Sequence, residues 1–323
     1  MHLDQGIGNT TCRCSTHAFC MLGRPLATKK NNGFCTEAGL PVRKMRRTAV
    51  MVCCASALVA MAGYESAVGQ VSDTQSLDLP NHNHSAPATL AERALRHSGY
   101  RWIRDATDHM DLYFFNDSHS YERGRAHHHH AEAARKHALG ILGAPEYESR
   151  VGVFYLDAME DMQALFGAQV LGKADAPGNA VALVLDEDVT RRERHEIMHV
   201  LSWGSWGGAA MPNAWISEGL AVFAQGDYLG HDLHHRAHQL GQSGSLLPID
   251  TLIHCFLEQG ESVSYVQAGS LVRFVHEVYG VEVLRGLWQQ GVGRTVELTG
   301  RTLAQLDAEW RLYVADTGDV PLP

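Results

Sequence analysis

The chain has few cysteines, and their positions leave most of it with almost none. Of seven cysteines in 323 residues, six precede residue 55 and only Cys255 lies beyond it. The long remainder therefore cannot form an internal disulfide. The first four cysteines lack the paired C-x2-C spacing of common structural zinc sites, so we expect no zinc knot there. These four are Cys12, Cys14, Cys20 and Cys35.

Excess positive charge is also missing. Lysine and arginine number 27 against 36 aspartates and glutamates, which gives a formal net charge of -9. A nucleic-acid-binding surface needs clustered positive charge, so we expect no nucleic-acid partner. No internal repeat is present, and a hydrophobic content of 45% is enough for an ordinary globular core.

The N-terminal region has no apolar run of the roughly 20 residues that span a bilayer. Its apolar stretch is about 15 residues long, at 49–63, between a positive run at 43–47 and small residues at 67–69. This order is typical of a secretory signal peptide, here at residues 45–69. It predicts export to the periplasm or the extracellular space, with membrane contact only through this segment. A permanent anchor is the alternative, and residues 1–44 would be a doubtful extension.

The remaining sequence predicts a linker and then one folded domain. Residues 70–87 are rich in Ser, Asp, Asn, His and Pro, which predicts a solvated linker, and the domain is expected at 88–318. Thr89 and Glu92 have the spacing of a capping box, which predicts a short first helix.

Apolar patterns predict the secondary structure that follows. They indicate a strand over Asp111–Phe115, a helix over Arg123–Leu142, a strand over Val151–Leu156, a helix through Phe166 and a strand over Ala180–Leu185. From Thr190 onward, nearly all segments are predicted to be helix or loop. The expected fold class is therefore α+β, with a small mixed sheet lobe followed by a mostly helical lobe.

An H-E-x-x-H motif occupies residues His195, Glu196 and His199. The stretch Thr190–Glu193 has capping-box spacing and predicts a helix that begins at Arg191 and contains the motif. Residues four apart share a helical face, so both imidazoles can bind one ion while Glu196 lies beside them. In a chain with 20 histidines the motif alone is prone to false positives, so further evidence is needed.

A third ligand is available one helix further on. Catalytic zinc needs three protein ligands and one open position, and Glu218 lies in the apolar segment Trp215–Ala221. Asn213 is a plausible N-cap for that helix, just after Pro212. Glycines and a proline in the intervening residues 200–217 would let the second helix turn back onto the first.

Three segments resemble the gluzincin zinc metallopeptidases, of the peptidase MA-like domain family. They are H-E-I-M-H at His195–His199, S-E-G-L-A at Ser217–Ala221, and Tyr265–Gly280, and eighteen residues separate His199 from Glu218. The resemblance covers roughly residues 111–315 and is specific only at these segments.

The resemblance implies a zinc-dependent metallopeptidase that hydrolyses peptide bonds with zinc-activated water. It implies zinc ligation by His195, His199 and Glu218, in a zincin-like fold with the ion between the two lobes. Glu196 would be the general base and would later protonate the leaving amine. A peptide or protein substrate would pair with the strand Ala180–Leu185 as a sheet edge.

Several gluzincins stabilise the oxyanion with a tyrosine on a later helix. Tyr265, at the start of the helix that ends at Gly280, is the candidate here. A structural role for Tyr265 as a core tyrosine has about equal weight, and Tyr228 is a rival candidate for the oxyanion role. Thermolysin-like enzymes orient a histidine with an aspartate four residues after the ligand glutamate, but Val222 stands there, so the orienting group is unidentified.

Other chemically suggestive residues favour structural roles. The run His127–His130 cannot face one ion, because helical neighbours point about 100° apart. His231, His234, His235 and His238 could rim the cleft or bind adventitious metal, but a solvated helix is the default. Cys255 is expected to pack in the interior, and Thr302 with Gln305 predicts the start of a final helix.

Two alternatives to the peptidase remain open. One is a catalytically inactive zincin-fold protein with a binding or scaffold role, against which the intact Glu196 argues. The other is a zinc hydrolase acting on a non-peptide amide or ester, which the sequence does not separate from a peptidase because the chemistry is shared.

Overall fold

The structure, a computed structural model, describes residues 88–115 and 126–317. The predicted extension (1–44), signal peptide (45–69) and linker (70–87) lie outside these residues. The described part confirms the α+β class, because a five-stranded mixed sheet is followed by a mostly helical region.

The sheet contains three predicted strands and two unpredicted ones. The strands are β1 (Trp102–Ala106), β2 (Met110–Phe115), β3 (Val151–Leu156), β4 (Gly172–Asp175) and β5 (Ala180–Val184). Their order across the sheet is β1-β2-β3-β5-β4. The pairs β2–β3 and β3–β5 are parallel, whereas β1 and β4 pair antiparallel at the two edges. Both unpredicted strands are short and carry charged residues, as edge strands commonly do, so they lack an apolar signature.

Helices cover both faces of this sheet. The helices of the first half are α1 (Leu90–Arg96), α2 (His127–Leu142) and α3 (Met159–Phe166). One face of the sheet packs against α1 and α3, and the other packs against α2 and the long helix α4. The predicted helix start at Arg123 lies outside the described residues.

The second half is helical, as predicted. Its helices are α4 (Val189–Trp206), α5 (Ala214–Gln225), α6 (Leu233–Gln242), α7 (Ile249–His254), α8 (Glu261–Tyr279), α9 (Val281–Gln290), α10 (Thr295–Thr299) and α11 (Leu303–Thr317). Two short 3-10 turns lie at Phe256–Glu258 and Val292–Arg294. None of the helices described is long and apolar enough to cross a membrane.

Two of the three predicted capping boxes are confirmed. At the start of α1, the Glu92 amide donates to Thr89 Oγ1 and the Thr89 amide donates to the Glu92 carboxylate. Thr302 and Gln305 exchange the same pair of hydrogen bonds before α11. The helix α11 then buries Trp310 completely.

The third capping box, at Thr190–Glu193, is wrong. Helix α4 begins at Val189, so Thr190 already lies inside the helix and cannot be its N-cap. The Glu193 carboxylate turns toward the sheet instead, where it accepts a hydrogen bond of 2.8 Å from the Tyr155 hydroxyl. It also lies 3.0 Å from His127 Nδ1, so it joins α4 to both β3 and α2.

The predicted sheet edge is also wrong. Strand β5 lies between β3 and β4, and all five of its residues are buried. Its unbroken apolar run is the pattern of an interior strand covered on both faces, because no face of such a strand contacts water. The edge on this side of the described sheet is β4.

Close contact between α5 and α8 depends on two glycines. A Cβ added to Gly219 would lie 2.8 Å from the Ala268 carbonyl oxygen, and one added to Gly269 would lie 2.7 Å from Val222 Cγ1. Contacts this short do not occur for real side chains, so the two helix backbones can approach only because both positions lack a side chain.

A buried polar network joins α6, α8 and α11, and it corrects the expectation of a solvated histidine helix. His234 is only 3% exposed. Its Nδ1 lies 2.8 Å from Ser270 Oγ and its Nε2 lies 3.2 Å from Glu277 Oε2. Ser270 Oγ also accepts a 3.0 Å hydrogen bond from Trp310 Nε1, so the network fixes the three helices together.

Glu277 makes this network sensitive to acid. Burial by itself would raise the pKa of Glu277, but hydrogen bonds with His234 and Arg273 outweigh burial and lower the pKa from 4.5 to about 2. A carboxylate with a lowered folded-state pKa contributes stability above its unfolded pKa and loses it as pH falls toward the folded value. We expect Glu277→Gln to lower the free energy of unfolding at pH 7, and the deficit to shrink between about pH 4.5 and pH 2.

Urea unfolding at a series of pH values measures this difference. Glu282→Gln is the control, because the Glu282 side chain is 78% exposed and its deficit should not change over the same range. A Glu277→Gln deficit that stays constant from pH 7 to pH 2 would contradict the assignment.

Candidate metal centre

Helix α4 carries the H-E-x-x-H motif in its second and third turns. Ile197, Val200 and Leu201 are fully buried and anchor the helix in the core. His195 and His199, four residues apart, lie on one face with their ring centroids 5.0 Å apart. Both are buried as well, at 4% and 5% exposure, so they lie inside the protein and not on an open surface.

Helix α5 brings Glu218 to the same place. Asn213 takes the predicted N-cap position, but its side chain makes no capping hydrogen bond, and α5 then runs from Ala214 against α4. Glu218 is 1% exposed, and its Oε2 lies 3.3 Å from His195 Nε2 and 3.6 Å from His199 Nε2. The structure therefore brings together the three residues that the sequence analysis assigned as ligands.

The connection between these two helices is held by α9. The indole of Trp288 donates a 2.9 Å hydrogen bond to the Gly207 carbonyl, and the Gln289 amide donates a 2.7 Å bond to the Trp206 carbonyl. The Ala210 amide donates to the Trp288 carbonyl at 2.8 Å. These bonds hold the turn between α4 and α5. The position of Glu218 relative to the two histidines is therefore supported by α9 as well as by the three residues themselves.

The three ligand atoms fit a metal ion. One atom from each of His195, His199 and Glu218 lies within 4.8 Å of the other two, the only such group of three in the described part of the chain. The two Nε2 atoms and Glu218 Oε2 are buried and have no hydrogen-bond partner among the described residues. Buried polar atoms without partners are costly, and lone pairs that face one another repel unless a positive charge lies between them. This group could therefore hold a metal ion.

The electrostatics of the site favour positive charge. Burial alone would lower the pKa of His199, but the negative charges of Glu218 and Glu196 outweigh it and raise that pKa. Burial alone would raise the pKa of Glu218, but attraction to His199 and His195 lowers it to about 2. The carboxylate is thus ionised at neutral pH, and the site attracts either protons or a cation.

Ser217 contacts one of the candidate ligands. Its Oγ lies 3.2 Å from His199 Nδ1, and both residues are buried. In the tautomer in which Nδ1 donates to this hydroxyl, the lone pair of His199 lies on Nε2, which faces Glu218. Such an outer hydrogen bond commonly fixes the tautomer and ring orientation of a metal-binding histidine. Sequence analysis did not identify this group, although it directly precedes the ligand glutamate.

Glu196 lies against the edge strand β4. It is 2% exposed, and a Cβ added to Gly172 would lie 2.5 Å from Glu196 Oε1. The carboxylate therefore occupies the space that a side chain at Gly172 would fill. No sequence signal pointed to Gly172, because β4 itself was not predicted.

The two tyrosine candidates lie on different segments. Tyr265 lies in the second turn of α8, which begins at Glu261, so the predicted helix start at Tyr265 is wrong. It is 8% exposed and packs against Phe256, with ring centroids 5.0 Å apart. Tyr228 lies in the turn after α5, and burial and the charge of Glu261 raise its pKa. The oxyanion role of Tyr265 stays a prediction.

Glu261 is a further carboxylate near the candidate centre that the sequence analysis missed. Burial and the negative charge of Glu218 together raise the pKa of Glu261. The region around the ligands is thus acidic beyond the ligand set itself, which adds to its attraction for cations.

The remaining histidine clusters have other partners. His127 pairs with Glu193, and His128 Nε2 lies 2.9 Å from Asp105 Oδ2, so the histidine run joins α2 to its neighbours. Neither histidine cluster forms a group of three potential ligands within the described residues. Cys255 is partly buried between α7 and the following 3-10 turn, close to the packed position expected for it.

No protein-family model matches the chain, and no curated protein matches it.

The candidate centre predicts stoichiometric metal binding. We expect elemental analysis of the purified protein to find one metal ion per chain, and Glu218→Gln, which removes the negative ligand with little change in size, to lose it. Ligands present at about 1,000 times their dissociation constant add about 4 kcal/mol, so chelation should lower the melting temperature of the wild type by on the order of 10 °C. A wild-type melting temperature that does not respond to chelator would contradict the centre.

The Ser217 hydroxyl predicts a smaller effect on the same equilibrium. Loss of an outer hydrogen bond to a metal-binding histidine typically weakens affinity by roughly 10–100-fold, which we expect for Ser217→Ala in competition with a chromogenic chelator. Ser205→Ala is the matched control, because the Ser205 hydroxyl donates a hydrogen bond to the Leu201 carbonyl within α4. Equal metal affinities in the two variants would show that Ser217 has no role at the site.

Proposed function

We propose that the protein is a zinc-dependent metallopeptidase of the gluzincin type. One observation carries the proposal: the buried Nε2 atoms of His195 and His199 converge with Glu218 Oε2 from a second helix. The neighbouring acid Glu196 follows His195 directly in an H-E-x-x-H motif. A structural site would need a fourth protein ligand, whereas three ligands with an adjacent carboxylate are the pattern of hydrolytic centres.

The ligand types favour zinc. Two imidazole nitrogens and one carboxylate oxygen form a common set for catalytic zinc, whereas magnesium and calcium prefer oxygen ligands. His195, His199 and Glu218 would hold the ion. When bound, zinc would lower the pKa of water and polarise the carbonyl group of a substrate.

Glu196 would be the general base. Its carboxylate would take one proton from the attacking water as the oxygen adds to the peptide carbonyl carbon. As the bond from carbon to nitrogen breaks, Glu196 would deliver that proton to the leaving nitrogen. The products are a carboxylic acid and an amine, and Glu196 returns to its ionised form. Tyr265 remains the proposed stabiliser of the developing oxyanion, as the resemblance implies.

The substrate would pair with β4 and not with β5. Strand β4 is the described edge on this side of the sheet, and it lies against Glu196 at Gly172. An extended peptide can add to such an edge through main-chain hydrogen bonds. The proposed partner is thus a peptide or protein segment in extended conformation. The sequence pattern at residues 45–69 supports export as the setting for this activity.

Glu196→Gln tests the base directly. We expect this variant to retain zinc and to lose roughly 100–10,000-fold in the rate of cleavage, because the amide cannot accept the proton. Cleavage of fluorescein-labelled casein and of a mixed fluorogenic peptide library measures the rate, and elemental analysis measures zinc. Glu187→Gln, a change just before α4 and outside the ligand set, is the control and should cleave like the wild type.

Two outcomes would contradict the proposal. Equal cleavage by Glu196→Gln and wild type would remove the base assignment. A zinc-loaded wild type that cleaves neither casein nor any library peptide would exclude a general peptidase and favour hydrolysis of another amide or ester.

A further inference from the structure

The edge strand β4 has a glycine where its backbone meets the proposed base. Gly172 is buried, and it pairs across the sheet with Leu183. Leu183 and Ala174 both pack in the core cluster that contains α4, so Gly172 faces this helix as well. The Cβ position of Gly172 lies beside the Glu196 side chain.

The contact leaves no room for a side chain. A Cβ at Gly172 would lie 2.5 Å from Glu196 Oε1, 3.0 Å from its Cγ and 3.1 Å from its Cδ. The first of these distances is far below van der Waals contact, so one group would have to move. The obstructing atoms belong to the end of a flexible side chain and not to backbone. An alanine would therefore displace the carboxylate while the strand keeps its place.

The backbone polar groups of Gly172 point away from β5, toward the outer side of β4. The Val184 amide donates a 2.8 Å hydrogen bond to the Leu171 carbonyl, so Leu171 and Val184 form a hydrogen-bonded pair. Hydrogen-bonded and non-hydrogen-bonded pairs alternate along an antiparallel ladder. The backbone polar groups of the next pair, Gly172 and Leu183, therefore point away from each other. The amide and carbonyl of Gly172 thus point to the side where a substrate strand would add.

From these two observations we propose that Gly172 is a positioning residue for the general base. This inference rests on the proposed function. The missing side chain lets the Glu196 carboxylate lie directly beside the strand edge that would hold the substrate. Alanine at this position keeps the amide and carbonyl that would pair with substrate but moves the base. Gly172 therefore acts on the proton transfer and leaves substrate binding intact.

The opposing explanation is that Gly172 serves only the packing of α4 on the sheet. In that case an added methyl group would lower stability through the whole interface and leave the relation of base to substrate unchanged. The two explanations differ in what happens to kcat, to KM and to the position of Glu196.

The experiment compares Gly172→Ala with Gly152→Ala in the fully zinc-loaded protein. Gly152 lies in β3 of the same sheet, where an added Cβ would meet its nearest atoms at 3.6 and 3.7 Å, ordinary contact distances. We expect Gly172→Ala to lose roughly 100-fold in kcat on labelled casein, as for a misplaced catalytic group, with KM and zinc content unchanged. Gly152→Ala should match the wild type.

A crystal structure of metal-free Gly172→Ala provides a readout that does not depend on activity. The Glu196 carboxylate should be displaced from β4, with His195, His199 and Glu218 unmoved. A carboxylate in its original position, with β4 shifted to make room, would overturn the proposal. This readout decides the question even if casein is not cleaved.

The failure of this inference can be told apart from failure of the proposed function. If Glu196→Gln is inactive while Gly172→Ala cleaves like the wild type, Gly172 has no positioning role and the peptidase proposal stands. If Glu196→Gln itself cleaves like the wild type, the proposed function fails first.

Discussion

The rest of this structure depends on three buried atoms that carry lone pairs and lie close together. The Nε2 atoms of His195 and His199 and the Oε2 atom of Glu218 converge from two helices in a region that water hardly reaches. Without a positive charge between them this arrangement is unfavourable, and a cation held by the three atoms would relieve it. Much of the helical region serves to keep the two helices in this relation.

Several contacts outside the ligand set maintain that geometry. Gly219 and Gly269 let α5 pack against α8 at short distance, and Trp288 holds the turn that joins α4 to α5. Ser217 orients His199 from the residue before the ligand glutamate. Glu193 ties the start of α4 to the sheet. Each contact helps to hold the helices that carry the candidate ligands, whose three atoms already lie within 4.8 Å of one another.

Patterns that act over a few residues were predictable, and patterns that depend on neighbours in space were not. The boxes at Thr89 and Thr302 are confirmed because both partners lie within one helical turn. The box at Thr190–Glu193 has the same spacing, yet Glu193 bonds to Tyr155 on a distant strand. The apolar run of β5 was correctly identified as a strand, but its place beside the unpredicted β4 depends on sheet order, which short-range pattern does not encode.

The amino-acid sequence by itself determined that His195 and His199 share one helical face, because residues one turn apart on a helix must lie together. It also indicated which later glutamate could complete a ligand set. Only the tertiary structure decided that Glu218 reaches those histidines, that Ser217 holds one of them, and that the Glu196 carboxylate fits beside Gly172. These relations join segments that are far apart in the chain, so they follow from the packing of helices and strands and not from local spacing.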